Sequence, residues 1–154
     1  MPRPKVLILT GSKNDLEILK VTEELLEQFG IPYQRIVSSA HRNPDRTRKL
    51  ATEAEKKGIK VIIAAAGMAA HLAGVVASLT TLPVIGVPLP GSYFKGMDSF
   101  LATLQMPAGT PVATVAVGSH GAKNAAILAA QILALSDEKL KKRLKRYKAE
   151  LAKK

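Results

Sequence analysis

Two short stretches hold most of the residues able to bind and transform an anionic substrate: Gly11-Ser12-Lys13-Asn14-Asp15 and Ser39-Ala40-His41-Arg42. The first follows an apolar run, Lys5 to Thr10, and precedes a helical pattern. Its backbone N–H groups therefore stand at a helix start, where unpaired amides and the dipole favour an anion. Ser12 adds a hydroxyl donor. Asp15 is either a further polar ligand or simply the helix N-cap, a common structural role for Asp. In the second stretch Arg42 suits a phosphate, because its planar guanidinium donates two parallel hydrogen bonds. His41 brings the one side chain whose ordinary pKa lies near neutrality. Phosphate binding beside acid–base chemistry makes a coherent pair.

Other chemistries find little support. His71 lies in an uncharged helical segment and is read as making a core or loop hydrogen bond, and His120 is placed in a turn. The three histidines are too far apart for a local metal motif such as H-E-x-x-H, so no metal is expected. No G-x-G-x-x-G follows the first strand. Gly118-Ser119-His120-Gly121-Ala122-Lys123-Asn124 fails the spacing of a P-loop and is read as a plain turn or an interface loop. A phosphoacceptor receiver domain would need Asp after the third strand, where Ala64-Ala65-Ala66-Gly67 stands. The absence of Cys excludes a disulfide framework, a thiolate nucleophile and sulfur-ligated metal, and fits a reducing compartment.

The elements that must position these loops are legible as an alternation. Strands are expected at Lys5 to Thr10, Tyr33 to Ser38, Val61 to Ala65, Pro83 to Val87 and Val112 to Val117. Helices fall between them. Ile18, Leu19, Thr22, Leu25, Leu26 and Phe29 share one face of the first, which Gly30 closes, and Asn43-Pro44 reads as an N-cap with Pro in the first turn of the second. Gly58 ends that helix. A small-residue helix spans about Ala69 to Leu79, a short one Met97 to Gln105, an Ala-rich one Ala122 to Leu135, and a basic helix ends the chain. Continuous apolar strands alternating with helices argue for a doubly wound parallel sheet of about five strands. Such sheets bind ligands at the strands' carboxyl ends, so the loops after strands one, two and three should meet in one crevice. The helices Ala69 to Leu79 and Ala122 to Leu135 are apolar nearly all round, which points to self-association.

With 154 residues, 47% of them hydrophobic and 23% charged, the chain suits one packed domain, residues 1–154. Its net charge of +11 raises the question of nucleic acid. From Asp137 to Lys154, however, nine Lys and Arg face three acids, around an apolar stripe of Leu140, Leu144, Tyr147 and Leu151. A solvated amphipathic helix explains that pattern, and no aromatic residues are interleaved with a basic run as single-strand binders require. Nucleic acid is not an expected partner; the basic field instead concentrates phosphorylated metabolites. No charged residue occurs between Val61 and Phe94, yet Pro83, Pro88, Pro90, Gly67, Gly74 and Gly86 would break a membrane helix there, and no membrane association is expected. Met1-Pro2-Arg3-Pro4 runs straight into the first strand without a signal core, so a cytoplasmic protein is expected.

These residues resemble a known family. Gly11-Ser12-Lys13-Asn14-Asp15, Ser39-Ala40-His41-Arg42-Asn43-Pro44-Asp45, Gly67 to Leu72, Gln105-Met106-Pro107 and Asn124 to Leu133 are similar, in order and over nearly the whole chain, to the N5-carboxyaminoimidazole ribonucleotide mutases, the PurE family of de novo purine synthesis. The resemblance implies a three-layer α/β/α sandwich, flavodoxin-like or Rossmann-like with a C-terminal helix, assembled as a homo-octamer. It implies His41 as the proton shuttle and Ser12, Asp15 and Arg42 as holding the phosphate and ribose. Gly11, Ser39, Ala40, Gly67, His71 and Leu72 complete the implied substrate contacts. The implied reaction moves a carboxylate from the exocyclic nitrogen to ring carbon 4, by loss and recapture of CO2, with neither cofactor nor metal. Small apolar residues around Ala64 to Ala70 would line the CO2 pocket.

Arg42 and His71-Leu72 favour the mutase branch over related carboxylases that use CO2 directly. An oligomeric scaffold of the same fold with altered activity is the other alternative. Where the family's third loop carries glycines and a proline, this chain has Ala65, Met68 and Ala73. A Met at a position needing positive φ would strain the loop or enter the CO2 pocket. Asn14 and Gly91-Ser92-Tyr93-Phe94-Lys95-Gly96 are further departures.

Overall fold

Val6-Leu7-Ile8-Leu9-Thr10 is apolar toward both faces and forms β1 (Val6–Thr10), wholly buried at the centre of a parallel sheet. The computed structural model describes residues 2–153. Around β1 the chain places α1 (Leu16–Gln28), β2 (Tyr33–Val37), α2 (Pro44–Glu53), β3 (Val61–Gly67), α3 (Leu72–Ala77) and β4 (Val84–Leu89). There follow α4 (Met97–Leu104), β5 (Ala113–Thr114), α5 (Ser119–Ala134) and α6 (Glu138–Leu151). The strand order is β2-β1-β3-β4-β5, the doubly wound arrangement expected. Thr10 lies opposite Val37 on one side and Ala65 on the other, so β1 and β2 end level and β3 runs two residues past them, to Gly67.

Strand residues alternate between two cores. Val6, Ile8, Val61, Ile63, Ile85 and Val87 pack under α1, α5 and α6, whereas Leu7, Leu9, Ile62, Ala64 and Val84 pack under α2 and α3. Each fully buried Leu, Ile or Val removes apolar surface worth about 1.5–3 kcal/mol from water, which is what holds the three layers together. The Thr22 hydroxyl, buried between α1 and α5, donates to the Ala122 carbonyl at 2.8 Å. Local signals end the helices as anticipated. Gly30 has φ +66° beyond α1, and the Asn43 side chain accepts from Arg46 N at 3.2 Å with Pro44 in the first turn of α2.

Several boundaries differ from the sequence reading. β3 extends two residues further, to Gly67, and the helix expected from Ala69 begins only at Leu72, because residues 68–71 turn the chain back. β4 continues through Pro88 to Leu89; β5 has ended by then, so a missing N–H costs that edge nothing. β5 itself has two residues rather than the six expected. After it the Ala116 carbonyl presses onto Gly121, leaving no space for a Cβ, and the chain enters α5 one turn earlier than expected. His120 is therefore in a helix rather than a turn.

The Ala-rich helix does not supply the apolar face from which self-association was expected. Ala122, Ala125, Ala126, Ala129 and Ala130 are fully buried within the chain, where α5 lies against α1 and α6. Exposed apolar side chains form a stripe on α4, at Met97, Leu101 and Leu104, with Leu135 exposed at the end of α5. Among the described residues no helix is long and apolar enough to cross a membrane, and the uncharged stretch resolves into β3, α3, β4 and their loops.

Candidate functional site

A cleft of about 720 Å³ opens at the carboxyl ends of the strands, beside the point where the chain passes from one side of β1 to the other. Gly11, Ser12, Asp15, Ser39, Ala40, His41, Arg42, Gly67 and Leu72, all singled out in the sequence, line it. Four exits converge rather than three, because Pro90 and Gly91 after β4 complete one wall. From the sequence only the first three are expected, with β4 ending at Val87; its continuation to Leu89 is what brings the fourth exit to the cleft. Asn14, Ile18, Ala66 and Ala69 are further lining residues that carry no chemical signature of their own.

Each polar group has an identifiable partner. Asp15 stands at the N-cap position of α1 but makes no capping bond; its Oδ2 accepts from the buried Thr10 hydroxyl at 2.9 Å, which aims the carboxylate along the cleft wall. Ser12 Oγ accepts from Asn14 N and Ser39 Oγ from Arg42 N, both at 3.2 Å, so each hydroxyl proton remains to be donated. Arg42 reaches across from the second loop and donates Nη2 to the Gly11 carbonyl at 2.8 Å, tying the two loops together. Beside it a recess of about 390 Å³ shares Gly11, Ser12, Ser39 and Arg42 with the cleft and adds Lys13 and Arg46, a basic wall suited to an anion.

The histidines depart in part from the residue-level reading. His71 makes a loop hydrogen bond, one of its two expected roles, but lies outside the core and outside a helix: it is exposed at the N-cap of α3, and its Nδ1 lies 2.9 Å from His41 Nε2. The rings meet nearly at right angles, with centroids 5.0 Å apart. A hydrogen bond between two ring nitrogens needs a proton on one and a lone pair on the other, so the pair holds one proton between two loops. Two tight turns deliver His71 there: Ala70 N donates to Met68 O and His71 N to Ala69 O, both at 2.9 Å. His120 on α5 takes no part in the cleft.

The third loop accommodates its unusual residues in different ways. Ala65 is fully buried in β3, and Ala73 is buried in the first turn of α3. Ala64, Ala65 and Ala70 belong to the core, so the expected pocket wall is narrower: only Ala66, Gly67, Met68 and Ala69 of this stretch face the cleft. Met68 does hold a positive φ, +53°, which costs a side-chain-bearing residue about 1–2 kcal/mol. Among the described residues no group of three or more His, Cys, Asp or Glu could hold a metal ion.

With this geometry in place, comparison with known proteins is direct. Residues 5–154 match the AIR carboxylase family model. The chain is 54% identical to N5-carboxyaminoimidazole ribonucleotide mutase of Saccharolobus solfataricus, across 96% of this chain and 92% of that protein. It is 52% identical to the Thermotoga maritima protein of the same name, across 94% and 84%. The fold superposes on the crystal structure of Treponema denticola PurE with a TM-score of 0.88 and 32% identity, covering 98% of this chain and 93% of that one.

Proposed function

The chain belongs to the AIR carboxylase family, and from that premise we propose that it is an N5-carboxyaminoimidazole ribonucleotide mutase, an isomerase of purine biosynthesis. The observation that carries the reading is the His41–His71 pair, hydrogen-bonded at 2.9 Å beside a turn and an arginine built to hold a phosphorylated sugar. Arg42 and Ser12 bind the phosphate, and Asp15, held by Thr10, accepts from the ribose hydroxyls. Gly11, Ser39, Ala40, Gly67, His71 and Leu72 complete the substrate contacts, all within one catalytic domain of residues 1–154.

His41 first protonates the exocyclic nitrogen as its carbamate releases CO2. The ring carbon, an enamine-like nucleophile, then attacks the same CO2, and His41 removes the displaced ring proton. One group thus serves as acid and then as base. Holding CO2 next to the ring gives it the effective concentration of an intramolecular reactant, on the order of 10⁵ M for well-aligned partners. The working form is a homo-octamer in the cytoplasm; the exposed apolar stripe of α4 and the exposed Tyr93 and Phe94, on the loop leading from the cleft to it, support the self-association.

An ultraviolet assay on the purified protein tests the reading. N5-carboxyaminoimidazole ribonucleotide should be converted to the 4-carboxylate without added bicarbonate, and His41→Asn should lose about 10²- to 10⁴-fold in kcat. Turnover only from aminoimidazole ribonucleotide with bicarbonate would assign a carboxylase instead, and no turnover with either substrate a scaffold.

A further inference from the structure

Met68 combines three features that do not ordinarily occur together. It is one of two non-glycine residues among those described that hold a positive φ; the other, Lys95, sits on an exposed loop. Its side chain is 64% exposed, so burial does not compensate the strained backbone. Yet it forms part of the wall of the cleft that contains His41. Glycine would hold the same turn without strain. A strained backbone bearing a long apolar side chain at the rim of a reactive cleft is the kind of outlier from which a functional role is inferred.

We propose that Met68 is the retention residue of this cleft: its thioether chain closes the mouth over the CO2 set free beside His41, so that the ring carbon captures it before it escapes. The inference rests on the mutase reading and goes beyond it. In the step concerned, the C–N bond of the carbamate breaks and its electron pair stays on the exocyclic nitrogen, which takes a proton from His41. Carbon 4 then gives an electron pair to the carbon of CO2, and the proton it carried returns to His41. Atoms and charge balance with no further reactant, provided the neutral intermediate stays. CO2 has no charge to grip and can be held only by shape and by an apolar wall. Ala66, Ala69, Leu72 and Pro90 supply the fixed parts of that wall. Met68 supplies the movable one, since an unbranched, polarisable thioether adapts to an irregular gap and can swing aside for substrate entry.

The experiment follows the carboxylate carbon. Substrate labelled in the carbamate is converted in unlabelled bicarbonate buffer, and the fraction of label kept in the product is measured after correction for spontaneous decarboxylation. Met68→Gly, which relieves the backbone strain and so will fold with a raised thermal midpoint, should lose about threefold more label than the wild type or worse, as a partial loss of proximity would give. Met68→Leu, of similar bulk, should retain it. Equal retention in Met68→Gly and the wild type overturns the proposal, as does a loss in Met68→Leu as large as in Met68→Gly. A wild-type protein without any turnover overturns the mutase reading and this inference with it.

Discussion

His41 and His71 stand on different loops, yet their rings touch, and that single contact decides how the acid–base chemistry can run. If His71 holds the His41 ring in place and shares its proton, His71→Asn should lower kcat about tenfold or more, the worth of roughly one hydrogen bond made in the transition state, with a smaller change in KM. A raised KM with kcat unchanged would instead mark His71 as a plain binding residue. Arg42 gives the complementary pattern. Its Nη2 already serves the Gly11 carbonyl, so a substrate phosphate must use the rest of the fork. Arg42→Lys keeps the charge but not the planar geometry, and should raise KM about tenfold while leaving kcat nearly unchanged. Steady-state kinetics of the two variants, measured side by side, separate the roles.

Among the elements, what decides foldability is where backbone meets backbone. A Cβ on Gly121 would run into the Ala116 carbonyl oxygen, whereas one on Gly74 would meet only the flexible end of Met106, at 2.9 Å. Gly121→Ala should therefore destabilise by more than the roughly 1–3 kcal/mol usual for overpacking, and Gly74→Ala by far less, as urea midpoints will read. The start of α6 offers a pH test. Asp137 Oδ1 accepts from the Leu140 N–H at 3.0 Å, and this bond, helped by the nearby Lys5 ammonium, holds the carboxyl below its usual pKa. A carboxyl whose pKa is lowered by folding stabilises the fold above its unfolded value and ceases to do so as the pH falls through the folded one. The gap in thermal midpoint between the wild type and Asp137→Ala should accordingly be full at neutral pH and shrink below about pH 4. Features of this local kind were legible in the residues: the Asn43-Pro44 start of α2, the Gly30 end of α1 and the apolar strands each follow from a few neighbouring side chains. Features set by distant partners were not. The early start of α5 brings Gly121 against the Ala116 carbonyl, two residues past the end of β5, and the meeting of His71 with His41 follows the turn that carries the positive φ at Met68. The site loops themselves could be named because residue type carried their chemistry, while Pro90 and Gly91 had no such mark.

For the molecule as a whole, most of the large exposed apolar side chains among the described residues lie in and beside the cleft. Pro90 and Gly91 line the reaction cleft; the chain then runs through Tyr93 and Phe94, fully and 72% exposed, into α4, whose Met97, Leu101 and Leu104 form one exposed stripe at helical spacing. A contiguous apolar face of this kind is characteristic of an interface between subunits. Because the loop continues directly from the cleft wall, a subunit seated there would brace Pro90 and Gly91, and assembly and activity should fail together. Leu101→Arg places a charge at the middle of the stripe. The side chain is half exposed within the chain and Arg is a good helix former, so the protomer fold should be nearly unaffected, within about 0.5 kcal/mol. Light scattering should show a larger assembly for the wild type and a smaller species for Leu101→Arg, with unchanged far-ultraviolet circular dichroism and reduced mutase turnover. A Leu101→Arg protein of undiminished mass would exclude α4 from the interface, and a dissociated protein with full turnover would show that each cleft is complete within one chain.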